Sequence, residues 1–285
     1  ERGIVNGERR RDFIDAGDAR PLGVIIYYLL REDAEAVSLE ILDADGNVVR
    51  AFSQDEIPTE RFLSFDNRGY EQELVTGRPG ATVSRGLNRF NWDMRYPSVP
   101  AIPGVPPVLI KPIATPGTYQ VRLTVNGETQ TQSFDLNMNP NETYSRAETD
   151  AKGEFWMRLY AKAEDGVQAV LDAQTAQAAV ADTIESDSAS DELKAQAQAV
   201  HDLSQEFIAG MVATGRTLVQ IISEPTKPLS KLVTLHNVME TSEGPPNQPL
   251  RDVYELTAAE IDAAIADFRS SLDTEMAAYD ALMNN

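Results

Sequence analysis

The sequence predicts an α+β chain in two parts, a β-sandwich followed by an antiparallel α-helical bundle. Three observations carry that prediction. From Phe90 to Tyr96 the large apolar residues fall on every second position, as Phe90, Trp92, Met94 and Tyr96, with Arg89, Asn91, Asp93 and Arg95 between them. That is the period of a strand with one buried and one wet face. Asn126-Gly127 separates two alternating stretches and is a strong hairpin signal. From Ser145 onward, apolar residues recur in steps of three and four, the period of amphipathic helices.

The 285 residues, 42% of them apolar, suffice for two domains with separate cores. The expected division is a linker or arm over residues 1–20, a sandwich over 21–139 and the helices over 140–285. The absence of cysteine excludes disulfides, thiol nucleophiles and Cys-ligated metals. A net charge of −20 argues against nucleic acid and anionic membrane as partners. Residues 1–144 carry 21 acids and 15 bases (−6), and residues 145–285 carry 24 acids and 10 bases (−14), so the helical half holds most of the excess. It reads as a solvated acidic surface. No apolar run is long enough to cross a bilayer, so membrane insertion is not expected. The chain starts at Glu1 without an initiator Met or a signal peptide, which suggests a piece of a longer protein.

In order along the chain, residues 1–20 are polar, with the basic run Arg9-Arg10-Arg11 and no sustained period. Val24 to Leu30 is continuously apolar, which predicts a strand covered on both faces. Val37, Leu39 and Ile41 alternate and return through Asp43-Ala44-Asp45-Gly46-Asn47 to Val48–Phe52, a hairpin. The same acidic turn could open a calcium loop, but its twelfth position is Gln54 where a bidentate Glu is needed, so it reads as a turn. Residues 55–84 hold Phe62, Phe65 and Tyr70 among Gly and Pro; this long loop or edge segment is the expected contact surface.

Gly86 to Tyr96 is the central strand, with Phe90, Trp92, Met94 and Tyr96 as core. Arg89, Asp93 and Arg95 on its polar face are candidate interface residues that would anchor a neighbouring propeller or the helical domain. Seven prolines between Pro97 and Pro116 predict a segment running extended over the surface. Pro116-Gly117-Thr118-Tyr119 before an alternating strand is common in immunoglobulin- and fibronectin-like sandwiches, where the tyrosine closes a corner of the fold; Tyr119 is therefore assigned to the core. The helices are expected from Ser145 to Ile184 with Trp156 in the core, after Ser190, around Leu232–Val238, and from Pro249 to Ala281.

The segments GVIIYYLL, LEILDADGNVVRAF, GLNRFNWDMRY and PGTYQVRLTVNGETQTQSFDL, followed by the helical tail, resemble the C-terminal region of bacterial sortilin-like or BNR-repeat glycosyl-hydrolase-like proteins. The resemblance covers residues 20–285. In that family a long β-propeller precedes an immunoglobulin-like module and a helical segment. It implies an extracellular or periplasmic protein whose partner is a β-propeller of the same or a companion chain, with homo-oligomerisation as a further assembly. Any hydrolase site would lie in the propeller, which this sequence does not contain, so no catalytic role passes to any residue here.

The residues themselves agree with an absence of catalytic, cofactor and metal sites. His201 and His236 are the only histidines and form no i,i+4 pair or His-Glu-x-x-His motif. With 45 acids a pair of carboxylates is always available, so abundance is no argument for glycosidase chemistry. Asp93 is the one acid singled out, and an ion-pair role suits it better. No nucleophile elbow, phosphate loop or dinucleotide fingerprint occurs. The leading expectation is a non-catalytic structural or interaction region. The alternative is a glycan-binding or substrate-positioning module of a carbohydrate-active, sialidase-like enzyme. A buried Trp92 favours the first, and an exposed aromatic platform flanked by Asp or Asn favours the second.

Overall fold

A computed structural model describes residues 2–5, 8–11, 23–54, 61–65, 71–75, 80–105, 108–141, 143–213, 227–242 and 244–284. Within them lie ten strands: β1 Arg2–Val5, β2 Glu8–Arg11, β3 Val24–Leu30, β4 Val37–Leu42, β5 Val48–Ser53, β6 Arg61–Phe65, β7 Glu71–Val75, β8 Gly86–Trp92, β9 Gly117–Val125 and β10 Glu128–Leu136. Four helices follow: α1 Arg146–Glu185, α2 Asp191–Met211, α3 Pro228–Thr241 and α4 Gln248–Met283. The fold is therefore α+β.

Strands β1 and β2 pair antiparallel, as do β6 and β7. Neither hairpin was expected from the sequence: residues 1–20 read as a linker or arm, and residues 55–84 as a long loop or edge segment. β3 pairs antiparallel with β8, and β10-β9-β4-β5 form a four-stranded sheet in that order.

Two compact units divide the chain. One comprises Glu1–Leu39, Phe52–Met94 and Leu123–Thr129, the other Glu40–Ala51, Arg95–Arg122 and Gln130–Asn285. Neither is a single stretch of sequence.

The first unit is built on β3 and β8, which pair over seven residues from Val24↔Trp92 to Leu30↔Gly86. Gly23 makes this register attainable. Its φ is +118°, and a Cβ there would sit 2.1 Å from the Trp92 carbonyl oxygen, so only glycine fits. Alternation buries Asn88, Phe90 and Trp92 of β8 and Tyr28 and Leu30 of β3. Phe52 meets Phe90 edge to face at 4.6 Å. The buried Asn88 amide donates to the Ser84 and Gly86 carbonyls at 2.9 and 3.0 Å, and the Tyr28 hydroxyl donates to Thr82 O at 2.7 Å, so these polar groups are satisfied. At the Asn126-Gly127 turn both φ are positive, +48° and +89°. The Asn126 side-chain oxygen accepts from the Glu35 and Ala36 amides, each at 2.9 Å, so the turn also fastens the start of β4.

The expected strand of alternating residues ends earlier than its pattern. It stops at Trp92, and Met94 takes φ +59°, outside the strand region. Met94 and Tyr96 are half-buried and not full core members. The alternation in the sequence continues, but the left-handed residue breaks the pleat that would give it meaning.

In the second unit, the acidic turn closes as a turn. The Asp43 carboxylate accepts from the amides of Asp45 and Asn47 at 3.0 and 2.8 Å and from the Asn47 side chain at 3.0 Å. Burial pushes this carboxyl up, but the hydrogen bonds outweigh it and hold it below the usual range. Tyr119 is buried and its hydroxyl donates to Thr115 O at 2.7 Å, four residues upstream.

The helices share one large core. Ser145 opens α1 through a capping box with Glu148, Ser190 caps α2, and Asn247 caps α4. Phe155, Leu159, Ala163 and Val167 of α1 meet Met211 of α2, Leu232 and Met239 of α3, and Ile261 and Phe268 of α4. Phe207 stacks on Phe268 at 4.2 Å.

The described residues of 97–116 do not all run over the surface. Val99, Ile102, Val108 and Ile110 are buried in the helical core, Ile110 completely. Prolines deny this segment a place in a sheet, but the aliphatic residues between them are free to bury as an extended strap. Its backbone is paired in detail. Tyr96 N–H donates to Pro112 O at 3.0 Å, Arg95 to Lys111 O at 2.9 Å, Ser98 to Val108 O at 3.3 Å and Gln174 to Pro103 O at 3.0 Å. Arg50 donates to Arg95 O and Tyr96 O, both at 3.2 Å. On α1, a Cβ at Gly153 would meet Thr115 Cγ2 at 2.1 Å, so glycine there admits the strap's end.

Ile110→Ala is expected to destabilise the helical unit by about 2–5 kcal/mol, the cost of truncating a core aliphatic. Chemical denaturation followed by far-UV circular dichroism measures it. A change within about 0.5 kcal/mol is what a surface strap would give.

Candidate interaction surface

The surface most unlike ordinary solvent-facing structure lies on the β3–β8 pair. Strand alternation sends Ile25, Tyr27 and Leu29 of β3 and Leu87, Arg89 and Asn91 of β8 to the face opposite Trp92. The register sets Leu29 across from Leu87, Tyr27 across from Arg89, and Ile25 across from Asn91. Cross-strand partners lie about 4.5–5.5 Å apart at Cβ, so these pairs form one continuous strip. Leu29 and Leu87 are 68% and 72% exposed, Tyr27 59% and Ile25 37%. The strip runs from an aliphatic end, through a phenol beside a guanidinium, to an amide. Aromatic residues and Arg are enriched in protein interfaces, and a contiguous apolar patch on a sheet is an association hazard when left open.

The expectation that β3 is covered on both faces is thus met on one face only among the described residues. Leu87 was missed as a surface residue, although its parity in β8 matches Arg89 and Asn91. That parity, combined with a fully apolar β3, is the signal in the sequence for this strip.

The other candidate residues are scattered. Arg89 lies on the strip. Asp93 is half-buried just beyond the end of β8. Arg95 belongs to the second unit, where it pairs with Glu240 of α3 and donates to Lys111 O, so it ties the strap to a helix. Phe62 and Phe65 fall in β6, whose backbone alone is described, and Tyr70 lies outside the described residues. Of the proposed core, Trp92 is fully buried and Phe90, Tyr119 and Trp156 nearly so.

No group of three or more His, Asp or Glu able to hold a metal occurs among the described residues. His201 is exposed, with Nδ1 3.4 Å from Asp202. His236 is buried in the helical core at 2% exposure. A cavity of about 400 Å³ in the second unit is lined by Pro100, Glu164, Asp165, Asp262 and Arg269, among others. Two of its acids are joined by one cation: Lys162 donates to Asp262 at 2.6 Å and to Asp165 at 3.1 Å. Burial pulls the Lys162 ammonium down, but its two acids outweigh that and raise it above its ordinary value. Asp165 and Asp262 serve there as an ion-pair bridge between α1 and α4.

No helix among the described residues is long and apolar enough to cross a membrane. No protein-family model matches the chain, and no curated protein sequence matches it.

Arg89→Ala is expected to leave stability within about 0.5 kcal/mol of the parent, as for an exposed surface residue. Arg95→Ala is expected to cost about 1–2 kcal/mol, because it strips Lys111 O and Glu240 of a charged donor. Urea titrations of both variants distinguish the two roles.

Proposed function

We propose that the chain is a non-catalytic structural and interaction region that packs on or assembles with a β-propeller, of the same or a companion chain, outside the cytoplasm. In this reading its strands form an immunoglobulin-like sandwich and its helices an antiparallel bundle. The proposal carries forward the resemblance of GLNRFNWDMRY and PGTYQVRLTV to the C-terminal region of bacterial sortilin-like or BNR-repeat proteins.

The observation that supports it most is the open strip of Ile25, Tyr27, Leu29 and Leu87. An isolated module has no use for a four-residue apolar strip on a sheet face, whereas a docking module needs one. Burial of Trp92 removes the residue best suited to stack on a sugar. The Tyr119 hydroxyl bonded to Thr115 O supports the immunoglobulin-like reading, since a tyrosine bonded to backbone a few residues upstream is a corner device of such sandwiches.

A second reading, a glycan-binding or substrate-positioning module of a carbohydrate-active enzyme, is favoured by one feature. Tyr27 is exposed on the same strip as Asn91 and Arg89, an aromatic face with polar neighbours.

Light scattering after size exclusion, on this chain mixed with the β-propeller domain of its own or companion chain, tests the first reading. A stoichiometric complex is expected, and Leu29→Glu with Leu87→Glu should weaken it at least about tenfold, as when central interface residues are lost. Failure to associate sinks it. Concentration-dependent self-association abolished by the same substitutions would identify a second copy as the occupant. A glycan array on the parent and on Tyr27→Ala then tests the second reading.

A further inference from the structure

We propose that His236 is a pH-sensitive latch on the proline-rich strap: the neutral imidazole holds the strap's backbone at Lys111, and protonation turns the ring toward Glu240 and frees the strap. This goes beyond the assembly role, and it rests on the geometry of the second unit alone.

His236 lies on α3 with its ring in the core, 6.1 Å from the Trp156 ring between centroids. Its Nε2 accepts the Lys111 amide hydrogen at 3.4 Å. An accepting Nε2 places the ring proton on Nδ1, which is buried and has no hydrogen-bond partner. The neutral ring therefore works through one atom, and that atom holds the strap. A proton added to Nε2 sets two donors, the ring and the Lys111 amide, against each other at this separation.

Glu240, one turn along α3, has its Oε2 3.9 Å from Nε2. Glu240 is already engaged by Arg95, which also donates to Lys111 O. The imidazolium and the Arg95 guanidinium thus compete for one carboxylate, and both loosen their hold on the strap near Lys111 when the ring wins.

The charges around the ring set the direction. The strap brings Arg95 and Lys111. Helix α1 brings Lys152, whose ammonium lies 5.0 Å from the Trp156 ring centroid. α3 itself supplies Glu240. Acids of α4 pair elsewhere, Glu255 with Arg158, Glu260 with Lys231 and Asp262 with Lys162. On α2, Asp202 lies beside the exposed His201. Of these charges, Glu240 and Arg95 are the two that act on the buried ring. Burial holds the imidazole below its ordinary value of 6.5; Glu240 opposes it, and Arg95 adds a smaller push downward.

A histidine depressed in the folded state contributes stability that is complete above its unfolded value. That contribution is lost as pH falls through the lower folded value. The latch is closed at neutral pH and opens in mildly acidic conditions.

Amide hydrogen exchange of the full-length protein tests this, read at Lys111 by NMR from about pH 7.5 to about pH 5 and corrected for intrinsic exchange. Protection of the Lys111 amide is expected to fall about tenfold or more with a midpoint below the ordinary histidine value. His236→Gln keeps an oxygen acceptor but cannot take a proton, and its Lys111 protection should not change with pH. The His236 ring resonances of the parent should titrate with the same midpoint as the Lys111 amide. A flat parent profile, a pH-dependent loss in His236→Gln matching the parent's, or a ring midpoint apart from the amide midpoint would each overturn the latch. If His236→Gln does not fold, the comparison of ring and amide midpoints in the parent decides.

Discussion

A segment rich in proline carries carbonyls without matching amides, and once its side chains enter a core those carbonyls must find donors elsewhere. The helical unit is organised around that constraint. Val99, Ile102, Val108 and Ile110 draw the strap into the core. The donors then come from Arg95, Ser98 and Gln174, the first just before the strap, the second within it and the third on α1. Hydrophobic burial alone would leave the strap free to slide along the helices. Directional bonds to its backbone, from Arg95 to Lys111 O and from Gln174 to Pro103 O, fix one register, and Arg50 holds the carbonyls of Arg95 and Tyr96 just before it.

The same acidic half of the sequence uses its few cations for orientation. Residues 145–285 contain 10 bases, and Arg158, Lys162 and Lys231 all reach acids of α4. Exposed pairs of this kind add little stability individually. Their value is positional, since α4 carries no basic residue in its last turn and meets its neighbours through aliphatic and aromatic side chains that could repack by a turn. In the strand unit the corresponding control is steric. Gly23 admits the Trp92 carbonyl, and a side chain there would shift the pairing of β3 with β8.

Most elements were legible from local pattern. The helices were placed by their three- and four-residue apolar steps, and the Asn126-Gly127 turn by its dipeptide. The strap and the outer strip were not, for one common reason. Proline content describes what a backbone cannot do, and says nothing about where the aliphatic residues between prolines go. Likewise a continuously apolar β3 looks identical whether its second face meets protein or water. Period two separates the faces but does not say which one is occupied, and the partner strand supplies that only through Leu87. Arg95 was assigned with Arg89 and Asp93 by parity, and the left-handed Met94 removes the parity on which that grouping depended.

The helical cores differ in grain along their length. Around the strap the contacts are between large residues, whereas a separate cluster joins α1, α2 and α4 through Ala176, Val180, Ala197, Val200 and Tyr279. Here Ile184, Leu193, Leu272 and Met276 pack round the small residues, and the Thr183–Tyr279 and Gln196–Glu275 hydrogen bonds join the helices. At 40 residues α1 is about 60 Å long and runs through both clusters. A helix spanning two separate clusters couples them mechanically, so a change in the register of α1 at one end must be absorbed by side-chain packing at the other.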